Sequence, residues 1–325
     1  MALYIGNTLI TKLYKGNTEL KKLYLGNTLI YSGVNTDFVM SVKTDNAGTS
    51  NNNQFTLPLV SSFNGITANV DWGDGTSDAI TSFNQSEVLH TYPSSGNYTI
   101  TISNALRGWQ FANGGDKSKA INISNWGIFE ANEGSGFWGC SNLNSTATDS
   151  PLVTTNSFVN YFYDCATFNG TLRGLNLSSV TSLNNTFRGT LSLVDLDASL
   201  WDVSNLLTAW ECFGGSAANP DVTNWDTSSM TSAYWMFAYA PNFDRNMAAW
   251  DISGVLDLTA FMTNSAGLST ANYDATLIGW ANQIPLTYNG TLNFGNSVYT
   301  LGGAAATARA DLVLDVGGIQ DGGGI

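Results

Sequence analysis

The side chains that could do chemistry in these 325 residues are few, and their spacing says which chemistry is open. There is one histidine, His90, so neither a pair of catalytic histidines nor a histidine-rich metal site can be built, and a structural role is favoured for it. Asp71, Asp74 and Asp78 cluster in "VDWGDGTSD". Aspartates so close to glycines suit a turn that they stabilise through their own backbone, with a weak case for calcium and no other cofactor. Asp202, Asp226 and Asp251 recur in "WDVS", "WDTS" and "WDIS". Stacked carboxylates raise one another's pKa unless local donors hold them, and the serine two positions on is such a donor. A glycosidase needs two carboxylates facing across a cleft, roughly 5 to 9 Å apart, and no pair is singled out, so no enzyme activity is expected. Cys140 and Cys165 each stand three residues after a phenylalanine, which makes them neighbours able to form a disulfide or, the favoured case, a buried pair of thiols.

The remaining candidates are Trp138, Tyr161, Tyr163, Arg188, Trp210, Tyr234, Trp235 and Tyr239. They occupy places whose residue changes from one repeat to the next, so no constant inward packing is demanded of them. Aromatic faces with polar edges are suitable platforms for a host-surface glycan or protein, and core packing is the competing use.

These residues must be positioned by repeats. Phe137, Phe162, Phe187, Phe213, Phe237 and Phe261 are 25, 25, 26, 24 and 24 residues apart. "LNLSSV", "WDVSNL", "WDTSSM" and "WDISGV" keep the same beat from Leu175, Trp201, Trp225 and Trp250. A period in the twenties predicts a solenoid over 106–265, with phenylalanines and tryptophans in internal ladders. The phrase "WMFAYAPNFDRNMAAWDISGV" resembles the BspA-like leucine-rich repeats of bacterial surface proteins, well over 120–281, although earlier units replace its Met-Phe with Tyr161-Phe162, Thr186-Phe187 and Cys212-Phe213. Residues 266–325 form the expected cap. A helix over Leu268–Ala281 has Ser269 or Thr270 as N-cap and buries Tyr273, Leu277 and Trp280; a strand-like "LTYNGTLNF" and a second helix over Ala304–Leu314 follow.

Residues 34–105 contain short alternating runs between Asn-, Gly- and Ser-rich turns, which predicts a small β-sandwich. "VDWGDGT" followed by "HTYPSSGNYTITI" resembles the PKD domain, an immunoglobulin-like module common in surface proteins. Residues 1–33 say nearly one thing three times at a period of ten, "LYIGNT", "LYKGNT" and "LYLGNT", which predicts three strand-turn-strand units about Gly-Asn, too small to stand alone. They resemble the repeats that open bacteriophage tail-fibre and appendage proteins. Tyr4, Asn7, Tyr14, Asn17, Tyr24 and Asn27 are accordingly the candidate virion-docking residues.

Charged residues make up 11% of the chain, against roughly 25% in an average soluble protein, and the formal net charge is -13. Nucleic acid is therefore not an expected partner. Lys12, Lys15, Lys21 and Lys22 face a single Glu19 in the opening repeats, so a weakly basic head precedes an acidic body. No apolar run suggests membrane insertion or an export signal. The whole reads as a mainly β virion protein, a tail fibre or a capsid-decorating fibre, that docks through 1–33 on other virion proteins and forms a homo-oligomer, a trimer or higher. A secreted bacterial surface adhesin is the alternative, and a glycan depolymerase ranks below both.

Overall fold

The computed structural model describes the backbone of short strands between residues 3 and 32 and, in full, residues 36–62, 65–132 and 134–325. It is mainly β. Strands β1 (Leu3–Ile5) and β2 (Thr8–Ile10), β3 (Leu13–Lys15) and β4 (Thr18–Leu20), and β5 (Lys22–Leu25) and β6 (Thr28–Ser32) pair antiparallel. The innermost partners are Ile5 and Thr8, Lys15 and Thr18, and Leu25 and Thr28, so Gly-Asn joins each pair. Tyr4, Tyr14 and Tyr24 lie in these strands, while Asn7, Asn17 and Asn27 lie outside the described residues.

The next strands are β7 (Phe38–Lys43), β8 (Gln54–Thr56), β9 (Ala68–Asp71), β10 (Ser77–Ile80), β11 (Leu89–Thr91) and β12 (Asn97–Ser103), followed by β13 (Ala120–Asn125), β14 (Glu130–Ala131), β15 (Asn144–Ser145) and β16 (Leu152–Val153). Alternation decides what each strand buries: Phe38, Met40 and Val42 from β7, Ala68 and Val70 from β9, Ile100 and Ile102 from β12. A six-stranded sheet has the order β10-β9-β12-β7-β13-β15. Within it β13 pairs antiparallel with β7 on one side and parallel with β15 on the other. A boundary at residue 105 therefore cuts the chain between β12 and β13, two strands of one sheet. Residues on either side share a continuous apolar core that runs from Phe38 to Val316.

Two polar clasps reinforce this junction. The Lys119 ammonium, fully buried, donates to the carbonyls of Asn51 at 2.8 Å and Gln54 at 2.9 Å and to Ser50 Oγ at 2.7 Å. Asp116, also buried, accepts from Ser50 Oγ at 2.6 Å and from the Thr56 N–H at 2.8 Å. At the other end of β13 the Ile128 N–H donates to Thr36 O at 3.0 Å and Asn125 Nδ2 donates to Asp37 O at 2.7 Å. The chain thus enters and leaves this part of the molecule at one place.

From residue 157 successive units pair in parallel through single bridges, Ser157 to Ser182, Thr208, Ser232 and Asp257 in turn. Full strands do not form, because positive-φ residues interrupt the extended backbone after each bridge. Counting five residues on from each bridge gives Phe162, Phe187, Phe213, Phe237 and then Met262. Consecutive rings from Phe137 to Phe237 stack at 5.5 to 5.9 Å, within 13° of parallel. Phe261 does not continue this ladder. It occupies the preceding position and meets Phe237 edge-on at 87°, so the expected 24-residue step from Phe237 is a step of 25 to a methionine. Trp201, Trp225 and Trp250 form a second stack at 6.1 to 6.2 Å.

Helix α1 (Thr270–Ala281) closes the stack, burying Tyr273, Leu277 and Trp280 as the sequence pattern implies. Ser269 is its N-cap, yet its hydroxyl donates to Asp244 at 3.0 Å and makes no capping bond. Strands β17 (Gly290–Asn293) and β18 (Val298–Tyr299), helix α2 (Ala304–Val316) and strands β19 (Gly317–Gln320) and β20 (Gly323–Gly324) follow, with β17 parallel to β19 and β18 parallel to β20.

Candidate functional site

Two positions recur in the left-handed region of backbone space from unit to unit. Ser135, Asn160, Asn185, Glu211, Trp235 and Ala260 form one column, with φ between 48° and 61°. Gly139, Asp164, Gly189, Gly215, Tyr239 and Asn264 form another, with φ between 54° and 80°. Glycine adopts this conformation freely, and Asn and Asp tolerate it because their short polar side chains bond locally. Other L residues lose roughly 1–2 kcal/mol each there. Glu211, Trp235 and Tyr239 are the bulkiest occupants of the two columns, and all three line one groove of about 290 Å³.

The groove is also lined by Tyr163, Asp164, Arg188, Leu191 and Ala238. Its polar edge is the pair formed by Arg188 and Glu211, with Nε 2.6 Å from Oε2. Arg188 Nη1 donates to the Tyr163 hydroxyl at 2.5 Å. Trp138 stacks on the other side of Tyr163 at 5.4 Å and 11°. Along the opposite margin Trp210 meets Tyr234 edge-on at 5.9 Å, Tyr234 stacks on Trp235 at 5.7 Å, and Trp235 lies 6.0 Å from Tyr239. Trp210 and Tyr239 are about half exposed, at 48% and 52%, and the indole N–H of Trp210 donates to Ser232 Oγ at 2.5 Å.

Tyr163, Arg188, Trp235 and Tyr239 thus meet in the groove, and Trp138, Trp210 and Tyr234 extend its two margins. Tyr161 must be corrected. It is 1% exposed and its ring lies flat on Phe158 at 4.0 Å. The position before each ladder phenylalanine points inward in every such unit, since Thr186, Cys212 and Met236 are fully buried too. Variation in residue type there reflects different core fillings, and it was no sign of exposure.

The other candidate groups are engaged locally. Asp71 accepts from the Gly73 N–H at 2.9 Å, Asp74 from the N–H and hydroxyl of Thr76, and Asp78 from the Trp72 indole at 2.8 Å. Burial acts to raise the Asp74 carboxyl, but the bonds from Thr76 and His90 outweigh it and hold its pKa below the usual range. His90 Nε2 lies 2.9 Å from Asp74 and its ring stacks on Trp72 at 4.5 Å. Among the described residues no group of three or more His, Cys, Asp or Glu is placed to hold a metal ion. Asp202, Asp226 and Asp251 each accept from the N–H and hydroxyl of the serine two residues on, and those bonds lower the pKa of Asp202 and Asp226. Cys140 and Cys165 are buried free thiols, and Cys165 Sγ donates to Phe137 O at 3.0 Å.

Residues 156–275 match the family described as "Mycoplasma protein of unknown function, DUF285". The matched segment contains the whole lining of the groove. No curated protein and no solved structure matches the chain.

Sequence reasoning missed Asp164, Leu191 and Glu211. A signal for Glu211 existed, since its column otherwise holds Asn, Ser or Ala beside Trp235, but reading it requires knowing that the column is left-handed. Gly214 and Ala238 were invisible for another reason. They contribute by being small.

Proposed function

We propose that this chain is a non-enzymatic bacteriophage virion protein, a tail fibre or capsid-decorating fibre that docks through residues 1–33 and binds the host surface through its repeat units. On this reading the region after residue 34 is an immunoglobulin-like sandwich and the units beyond it form a leucine-rich-repeat-like solenoid. The observation that carries the reading is the groove itself: two strips of aromatic residues flank an ion pair on the outward turns of the repeats. Aromatic and arginine side chains are the groups that most often dominate recognition surfaces. The hairpins of residues 3–32 are two-stranded, a size that gains stability by packing on something larger. Their surplus of lysines over the acidic remainder of the chain suits different partners at the two ends. A binder is preferred to a depolymerase because Glu211 is committed to a 2.6 Å contact with Arg188.

Antiserum raised against the full chain is expected to label purified phage particles and to slow their adsorption to host cells. Particles that carry no label would sink the virion assignment. The match of residues 156–275 to a family of Mycoplasma proteins favours, as second reading, a bacterial surface adhesin. Labelling of the outer face of uninfected cells selects it.

A further inference from the structure

The column after the ladder phenylalanine reads Trp138, Tyr163, Arg188, Gly214 and Ala238. Its first three members make a stack one repeat apart: Trp138 lies on Tyr163 at 5.4 Å, and the Arg188 guanidinium carbon is 5.1 Å from the Tyr163 centroid. At Gly214 the side chains stop. The stack ends in a hollow, and Trp235 and Tyr239 line it. Both hold positive φ, 53° and 57°; other units place Ser, Asn, Glu or Ala in the column of Trp235 and only Gly, Asp or Asn in that of Tyr239. At Tyr239, half exposed, a bulky side chain keeps a strained backbone in a column that otherwise holds Gly, Asp or Asn, which a ligand-facing role explains and packing does not.

We propose that Trp235 and Tyr239 are the stacking platform for one uncharged sugar ring of a glycan, with the Arg188–Glu211 pair as its hydrogen-bonding edge. This names the ligand class of the recognition site inferred above and rests on that reading. A pyranose presents an apolar face to aromatic rings and vicinal hydroxyls at its rim. The rim matches an edge that offers guanidinium donors beside carboxylate acceptors. A volume of about 290 Å³ is at the small end for ligand sites, which suits a single ring. Charge selects against acidic sugars. The groove has two acids, Asp164 and Glu211, to one base, and the whole chain carries -13.

The test uses the full chain and two panels of probes, chitohexaose, maltohexaose and yeast mannan as uncharged glycans and polygalacturonate and polysialic acid as anionic ones. Tyr239→Asn and Trp235→Asn are the variants, because Asn occupies both columns in other units. Wild-type protein is expected to bind an uncharged probe. Each variant should lose at least tenfold in affinity, and Tyr239→Asn should unfold at the same or a higher temperature. A lower unfolding temperature for Tyr239→Asn with unchanged binding would make the aromatic pair structural and overturn the proposal. Binding to anionic probes alone, or labelling of host cells without binding to any uncharged probe, overturns it and leaves the recognition reading standing. Wild-type protein that binds neither probes nor cells removes both.

Discussion

The indole N–H of Trp280 donates to the carbonyl of Met247 at 2.9 Å, just as Trp250 donates to Val222 at 2.9 Å one unit earlier. Trp225 and Trp201 make the same bond to Ala198 and Leu172 at 3.4 Å. Helix α1 therefore ends the repeats by supplying the next tryptophan of their own series, although its backbone is of a different kind.

Trp280→Phe keeps most of the apolar area but removes the indole bond to the Met247 carbonyl, which still accepts from the Trp250 N–H at 3.1 Å. The expected loss is about 0.5–1.5 kcal/mol in urea-induced unfolding. Trp280→Ala adds a cavity and should cost about 3–5 kcal/mol. Equal, negligible effects would show that the cap does not depend on this side chain.

The left-handed columns predict opposite signs for two single changes. Tyr239→Asn is expected to raise stability by up to about 1 kcal/mol, because Asn accepts the conformation. Gly215→Ala, in the same column with open space around the added methyl, should lower it by about 1 kcal/mol. Thermal unfolding of both variants reads the difference.

Lys119 and Asp116 tie residues 50–56 to the start of the repeats. Burial pulls the Lys119 pKa down, and Asp116 works the other way. Lys119→Met leaves a buried carboxylate and several carbonyls without their cation, for an expected loss of about 3–5 kcal/mol. Adding Asp116→Asn should recover part of it in the same unfolding assay.

Acid should loosen the C-terminal cap through Asp321. Burial alone would raise this carboxyl, but Arg309 Nε at 2.7 Å and the Tyr273 hydroxyl at 2.7 Å outweigh burial and hold it below the usual range. A folded-state pKa below the unfolded one, about 3.9, gives stability that is full above that value and lost as the pH falls through the folded value. Between pH 5 and pH 2 the wild-type unfolding temperature should therefore fall more than that of Asp321→Asn. Parallel curves would deny Asp321 this role.

Much of the architecture is legible in residue order because repetition is. The Gly-Asn hairpins, the Asp-x-Ser turns and the inward tryptophans follow from local chemistry repeated at a constant interval. Phe261 shows the limit. An interval that drifts between 24 and 26 cannot distinguish a shifted phenylalanine from one in step, whereas the bridge from Ser232 to Asp257 settles it. Tyr161 fails for a related reason, since the side of the backbone that a residue faces depends on turns whose handedness leaves no mark beyond a preference for Gly and Asn. The groove required that handedness, and so only its aromatic members and Arg188 could be picked out beforehand.

The hydrogen bond from Ile128 to Thr36 sets the path of mechanical load. A pull between the opening hairpins and the repeats is transmitted across that contact, and the strands from β7 to β12 hang beside the line of force, while β13 is held to the repeats by its parallel pairing with β15. Because β7 and β13 run antiparallel, with Val39 opposite Asn125, their bonds break one at a time from the loaded end. Once that lobe peels and unravels, the tether lengthens by roughly 300 Å, at about 3.3–3.6 Å per residue. Single-molecule extension should show this as a low-force step before any repeat unit opens.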